Sequence, residues 1–242
     1  MCKIPVIGFY HHKNLGDDAY QIAFRTAFPT QEFCFSNCTP NSDFGILGGG
    51  NVLYTHYLAQ IQGCGRKWAL SVGATQSSDF EKIKECHFEK IIVRDYDSLE
   101  LLKKNGIDAE YAPDFTFLLK PDREHGKALL DNLFKKHSAE KYENIVVVCL
   151  NSYALLPNHP RDTMKESYLQ YFLNEMSVIL DNTHASFVFL PFSTQFPYED
   201  RVINSMCASR AKFYKKNVCI FDELSPTEAL DIIAASNLVL GQ

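Results

Sequence analysis

Residues 144–153 read Asn-Ile-Val-Val-Val-Cys-Leu-Asn-Ser-Tyr. An unbroken apolar run from Ile145 to Leu150, without alternation, describes a strand buried on both faces, as in a parallel sheet covered by helices. The polar residues that follow at once, Asn151 and Ser152, mark the carboxyl end of that strand. Phe187-Val-Phe-Leu190 repeats the signature, and a helical period over Met164–Leu180 separates the two. Working outward, the same alternation covers the chain. Strands are predicted at Pro5–Tyr10, Glu32–Ser36, Phe44–Gly48, Lys67–Val72, Lys90–Arg94 and Asp108–Tyr111, then at Asn144–Leu150, Ser186–Pro191, Asn217–Phe221 and Asn237–Leu240. Helices are predicted at Asp17–Phe28, Val52–Gln62, Ser98–Asn105, Met164–Leu180, Tyr198–Ala211 and Thr227–Ala235. Repeated βα units of this kind give an α/β fold with parallel sheets. The series breaks once, in a charged stretch holding a helix. The expected organisation is therefore a Rossmann-like half over residues 1–120, a linker with a helix over 121–143, and a second Rossmann-like half over 144–242.

Composition narrows the function classes. The chain has 242 residues, 46% hydrophobic and 22% charged, with a formal net charge of −5. That is a globular composition. No polybasic tract is present, so nucleic acid and anionic membrane surfaces are excluded as bulk electrostatic partners. No apolar run reaches the ~18 residues of a membrane span. The opening MCKIPVIGFYHH reads as a first strand rather than a signal peptide, and a cytoplasmic location is expected. The eight cysteines fall at 2, 34, 38, 64, 86, 149, 207 and 219. Only Cys34 and Cys38 are close, and no second Cys/His pair follows at zinc spacing. Reduced thiols, no metal and no cofactor are expected. Tyr and Phe are spread along strands and helices as core, not gathered as a stacking platform, and His56 is read as packed on the apolar face of its helix.

The chemistry-bearing residues collect at the predicted strand ends, where open α/β sheets bind ligands. The first junction, IGFYHHKNLGDDAY, carries His11, His12, Asn14 and Gly16, and Asp17 or Asp18 starts the helix. Asp17 reads either as a helix cap or as a site residue, and Gly16 as a tight entry turn. The second, FGILGGGNVLY, spends Gly48, Gly49 and Gly50 before Asn51. Consecutive glycines suit a closely approached backbone with amides turned to an anion, or simply a tight turn. It matches neither a dinucleotide fingerprint nor a P-loop. Arg94 follows the fifth strand, either as a fixed cation for an anionic ligand or paired to Asp95, Asp97 or Asp114. In the second half, Asn151, Ser152, Tyr153, Ser193, Thr194, Gln195 and Asp200 are positioned to read a sugar or nucleotide by hydrogen bonds, or to answer to water.

These junctions together resemble the polysaccharide pyruvyl transferase family. The carriers are Gly8, Asn14, Gly16, Asp17, Asp18 and Ala19; Gly48–Asn51; Val93–Ser98; then Asp114, Phe189–Pro191 and the closing ELSPTEALDIIAASNLVLG. The resemblance implies two Rossmann-like halves in a GT-B-like arrangement with a cleft between them. It also implies a phosphoenolpyruvate donor, a sugar or glycan acceptor, a pyruvate ketal product and released phosphate. Asn14 and Asp17 are expected near the acceptor, the Gly48–Asn51 amides at the cleft, and Arg94 organising its loop. His12, at a strand end and of a residue type that titrates near neutrality, is a candidate acid/base. Family members carry an Arg-x-His element after the strand resembling Ser236–Gly241, and many have a basic residue where Asn151 stands. A second half that stops at Gln242 is thus expected to be incomplete and weak in donor binding. The alternatives are a nucleotide-sugar glycosyltransferase on the same fold, or an inactive binding module.

Overall fold

The computed structural model describes residues 3–36, 42–157 and 161–241; Cys2, Cys38 and Gln242 lie outside the described residues. The chain divides into two units. The first comprises Met1–His12 and Gly16–Lys120, and the second Lys13–Leu15 and Pro121–Gln242.

In the first unit the order is β1 (Ile4–Ile7), α1 (Leu15–Ala27), β2 (Phe33–Ser36), β3 (Phe44–Gly50), α2 (Thr55–Ile61), β4 (Arg66–Val72), α3 (Phe80–Glu85), β5 (Lys90–Val93), α4 (Tyr96–Lys104) and β6 (Glu110–Tyr111). The strands form one sheet in the order β2-β1-β3-β4-β5-β6, and every pair is parallel. Each parallel pair needs a crossover, and the sequence supplies it with an amphipathic helix. Tyr20 and Phe24 of α1 pack with Val6, Phe33, Phe35 and Ile46 on one face. Leu58, Ile61, Ile83 and Leu102 from α2, α3 and α4 pack with Ile7, Leu47 and Ile91 on the other. Because β2 and β3 lie on opposite sides of β1, the chain reverses its direction of winding there. The carboxyl ends of β1 and β3 thus open a crevice, the usual ligand position in such sheets.

The second unit contains α5 (Arg123–Lys136), β7 (Ile145–Cys149), α6 (Ser152–Leu155), α7 (Thr163–Asn182), β8 (Ser186–Phe189), β9 (Thr194–Gln195), β10 (Tyr198–Glu199), α8 (Asp200–Arg210), β11 (Asn217–Cys219), α9 (Pro226–Ala235) and β12 (Leu238–Gly241). Its main sheet is parallel, in the order β11-β8-β7-β12. The runs that decided the fold are its centre: Val147, Val148, Val188 and Phe189 are fully buried. Leu169, Leu173 and Leu180 of α7 cover one face with Ile203 and Cys207 of α8. Leu130 and Phe134 of α5 cover the other with Ala229 and Ile232 of α9. Gly126 lets α5 approach α9, since a Cβ there would lie 1.9 Å from the Asp231 carbonyl oxygen.

Several expectations are corrected. The second helix starts at Thr55, not Val52, and its buried residues are Leu58, Gln60 and Ile61. At 100° per residue His56 stands about 200° from Leu58. It is exposed rather than packed, and its Nε2 pairs with the Gln60 amide at 2.8 Å. Tyr198 and Glu199 do not begin a helix but pair with β9 in an antiparallel hairpin. Helix α1 starts at Leu15, so Asp17 lies inside its first turn instead of capping it. The aromatic residues are not all core: Tyr96 and Tyr111 are both exposed and stack on each other. Cys64, Cys86 and Cys207 are buried in the two cores, as small hydrophobes. Among the described residues no helix is long and apolar enough to cross a membrane, and no group of His, Cys, Asp or Glu converges as metal ligands.

Candidate active site

The crevice at β1 and β3 of the first unit brings together Asp17, the three glycines, Asn51 and Arg94. Gly49 and Gly50 have φ of +66° and +83°. Both positions favour glycine on conformation alone. Space demands it as well, since a Cβ on Gly49 would lie 2.3 Å from the Tyr20 ring and one on Gly50 would lie 3.0 Å from Asp17 Oδ1. The left-handed turn therefore brings backbone against Asp17. Gly48 is enclosed differently: its carbonyl accepts from the buried Tyr10 hydroxyl, and the Leu70 carbonyl blocks any side chain.

Arg94 is a paired cation. Its Nη1 donates to the Tyr20 hydroxyl at 2.9 Å and reaches Asp114 Oδ2 at 3.4 Å, while Nη2 donates to Asn51 Oδ1 at 3.0 Å. Of the three aspartates weighed as its partner, Asp114 is the one used. Asp95 instead caps α4 by accepting from the Ser98 amide at 2.7 Å. Asp114 is itself fixed. Its Oδ1 accepts from the Thr116 amide and hydroxyl at 2.9 and 2.8 Å, leaving Oδ2 for Tyr20 and Arg94. A bulge in β4 at Ser71, with φ of +55°, turns the Ser71 hydroxyl to accept from the Phe115 amide at 3.0 Å. Gly73 completes the floor: a Cβ there would lie 2.1 Å from Asn51 Oδ1 and 3.3 Å from Arg94 Nε.

The electrostatics follow from this packing. Burial, with the Asp18 charge adding to it, pushes the Asp17 carboxyl up to about 7 against the opposing pull of Arg94. Burial likewise raises the Tyr20 and Tyr10 phenols well above their ordinary range. Burial works against the Arg94 charge, but Tyr20 and Asp114 outweigh it and hold the guanidinium cationic. The unit thus presents a carboxyl able to carry a proton near neutrality, beside a rigid cation, at the ligand end of the sheet. His12 stands in the same loop region, its ring stacked on Phe9 at 4.1 Å. His11, the neighbouring histidine of that loop, takes φ of +64° and pairs its Nε2 with the Phe35 carbonyl at 2.9 Å.

The second unit gathers the remaining candidates. Asn14 bridges Ser193 in antiparallel fashion, and the Leu15 amide donates to the Phe192 carbonyl at 2.8 Å. Asp200 is buried and accepts from the Ser152 amide at 2.9 Å and the Ser193 amide at 2.7 Å. Its carboxylate is thus a brace between two strand-end loops. Asn151 caps α6 through the Ala154 amide at 3.3 Å, and Gln195 lies exposed in β9. Gly16 lies within α1. Tyr20, Gly73 and Ser71 were missed in the sequence. Tyr20 could have been found, since three residues after Asp17 on a helix puts it on the same face. Ser71 could not, because a bulge has no local sequence mark of its own.

No curated protein matches the chain at a significant level. The model of the family described as polysaccharide pyruvyl transferase matches residues 5–242, from the first strand through both sheets. With two parallel sheets and polar strand ends in the order that the motifs require, the chain belongs to the polysaccharide pyruvyl transferase family.

Proposed function

We propose that this transferase takes the pyruvyl unit of phosphoenolpyruvate and closes it as a ketal on two hydroxyls of a sugar, releasing phosphate. The observation that carries the reading is Asp17, a carboxyl raised to about 7 and set against the Gly49–Gly50 turn. Enol-ether chemistry needs a proton donor at neutral pH, and an ordinary carboxylate cannot serve. Protonated Asp17 delivers its proton to the methylene carbon, leaving an oxocarbenium-like centre at C2. The first sugar hydroxyl bonds to C2 and its proton returns to the Asp17 carboxylate. Phosphate then leaves from C2, the second hydroxyl bonds there, and phosphate takes the last proton. Arg94, locked by Tyr20, Asp114 and Asn51, is a positioning residue that keeps a positive charge facing the crevice. His12 is the second proton-transfer candidate and Gly16 a backbone contact of this unit, while Asn14, Asn151, Ser193 and Gln195 are polar groups that the second unit offers to a sugar at its own strand ends.

The test is phosphate release from phosphoenolpyruvate in the presence of pyranosides, with mass analysis of the sugar product. The expected product carries pyruvate less one water. Asp17→Asn should lower turnover by about 10²- to 10⁴-fold, the range for a positioned acid/base. Full turnover by that variant assigns the proton to another group.

A further inference from the structure

We infer that Tyr96 and Tyr111 form the platform on which the acceptor pyranose lies, an assignment that rests on the glycan-acceptor reading above. The two rings stack at 4.2 Å between centroids and 25° between planes. Tyr96 is 64% exposed and Tyr111 38%. Among the ring pairs of the described residues this is the one in which both members count as exposed. The tilted pairs of Phe24 with Phe33 and Phe35, by contrast, belong to the core of the first unit.

The position is that of a ligand contact. Tyr111 is the register partner of Val93, the last residue of β5, and the next amide, Ala112, donates to the Val93 carbonyl at 3.1 Å. Tyr96 opens α4 two residues after Arg94. The platform therefore stands at the carboxyl edge of β5 and β6. Two short chain segments, Arg94–Tyr96 and Tyr111–Asp114, carry both the stack and the Arg94–Asp114 ion pair. The stack uses one face of each ring and leaves the outer face of Tyr96 to solvent. That face bears the negative side of the ring quadrupole. A pyranose presents a flat patch of C–H bonds of complementary sign, with hydroxyls around its rim that stay hydrated. Tyr111 behind it fixes the ring plane, so little side-chain freedom is lost on binding.

Saturation-transfer NMR on the full chain, with methyl β-glucopyranoside, methyl β-galactopyranoside and methyl α-mannopyranoside, tests this. Transfer to the ring C–H protons of at least one glycoside is expected. It should fall about tenfold in Tyr96→Ala, the scale of one lost aromatic contact, and survive in Tyr96→Phe. Tyr96 lies at the surface, so matched thermal melts check that the fold is intact. No transfer with any glycoside, or transfer unchanged in Tyr96→Ala, overturns the platform. Transfer that depends on Tyr96, in a protein that releases no phosphate from phosphoenolpyruvate, leaves the platform standing and removes the donor chemistry instead.

Discussion

Asp17 shows how a single carboxyl ties stability to chemistry. Its folded pKa of about 7 exceeds the ordinary 3.8, so the folded state binds more protons than the unfolded chain between those values. The stability this confers is full below about pH 3.8 and is lost as pH rises through about 7. Asp17→Asn stays neutral at every pH, and at pH 8 it should be more stable than the parent by up to about 4 kcal/mol, with the gain vanishing toward pH 4. Denaturant titrations at both pH values would show it; equal stability at pH 8 means that the carboxyl is not strained by burial. Two glycines make a second contrast. Gly49→Ala combines a left-handed backbone with a clash on Tyr20 and should cost about 2–4 kcal/mol. Gly106 has φ of +71° with nothing within 4 Å of a Cβ, so Gly106→Ala should cost only the conformational part, about 1–2 kcal/mol. At this scale the sequence was half legible. The glycine run and Asp17 could be flagged from their types and order. The enclosure that gives Asp17 its proton could not, because Gly50 and Arg94 meet it from two segments remote in the chain.

Helices α5 and α9 carry the predictions that belong to elements. Gly126→Ala would force a side chain against the Asp231 carbonyl, and separation of the two helices should cost about 3 kcal/mol. Across the same seam His125 Nδ1 meets Asp231 Oδ2 at 2.8 Å, and that hydrogen bond raises the imidazole above its usual 6.5. The pair's contribution is complete below pH 6.5 and is lost as pH rises through the elevated value. Denaturation midpoints measured from pH 6 to 9 should therefore decline more steeply in the parent than in His125→Gln; parallel curves would show that the pair is energetically idle. Helix α9 opens with a capping box, in which Ser225 accepts from the Glu228 amide while Glu228 accepts from the Ser225 amide. Ser225→Ala should cost about 1 kcal/mol in a thermal or denaturant melt. Elements of this length were readable because burial imposes a long period, as over α7. Helix α3, with six residues, and the β9–β10 hairpin were not. Such short pieces follow from tertiary anchoring, and their residues carry no repeat to detect.

At the scale of the molecule, the alternation of strands and helices disclosed both parallel sheets, but it could not show that Lys13–Leu15 groups with residues more than a hundred positions away. Each unit has its own pair of packed layers, and each unit holds buried thiols. Cys64 and Cys86 lie inside the first unit and Cys207 inside the second, with burial raising all three and holding Cys207 at about 12. A thiol in that state is inert, because the thiolate is the reactive species. Cys34 is exposed and should be alkylated at once. The other three become reactive only when their surroundings open, so the chain carries built-in clocks for the transient breathing of its two halves. Pulsed alkylation in dilute urea, read peptide by peptide, would time each clock separately. If Cys64 and Cys207 are modified at different rates, the two halves open independently of each other, and the two sheets are separate kinetic bodies.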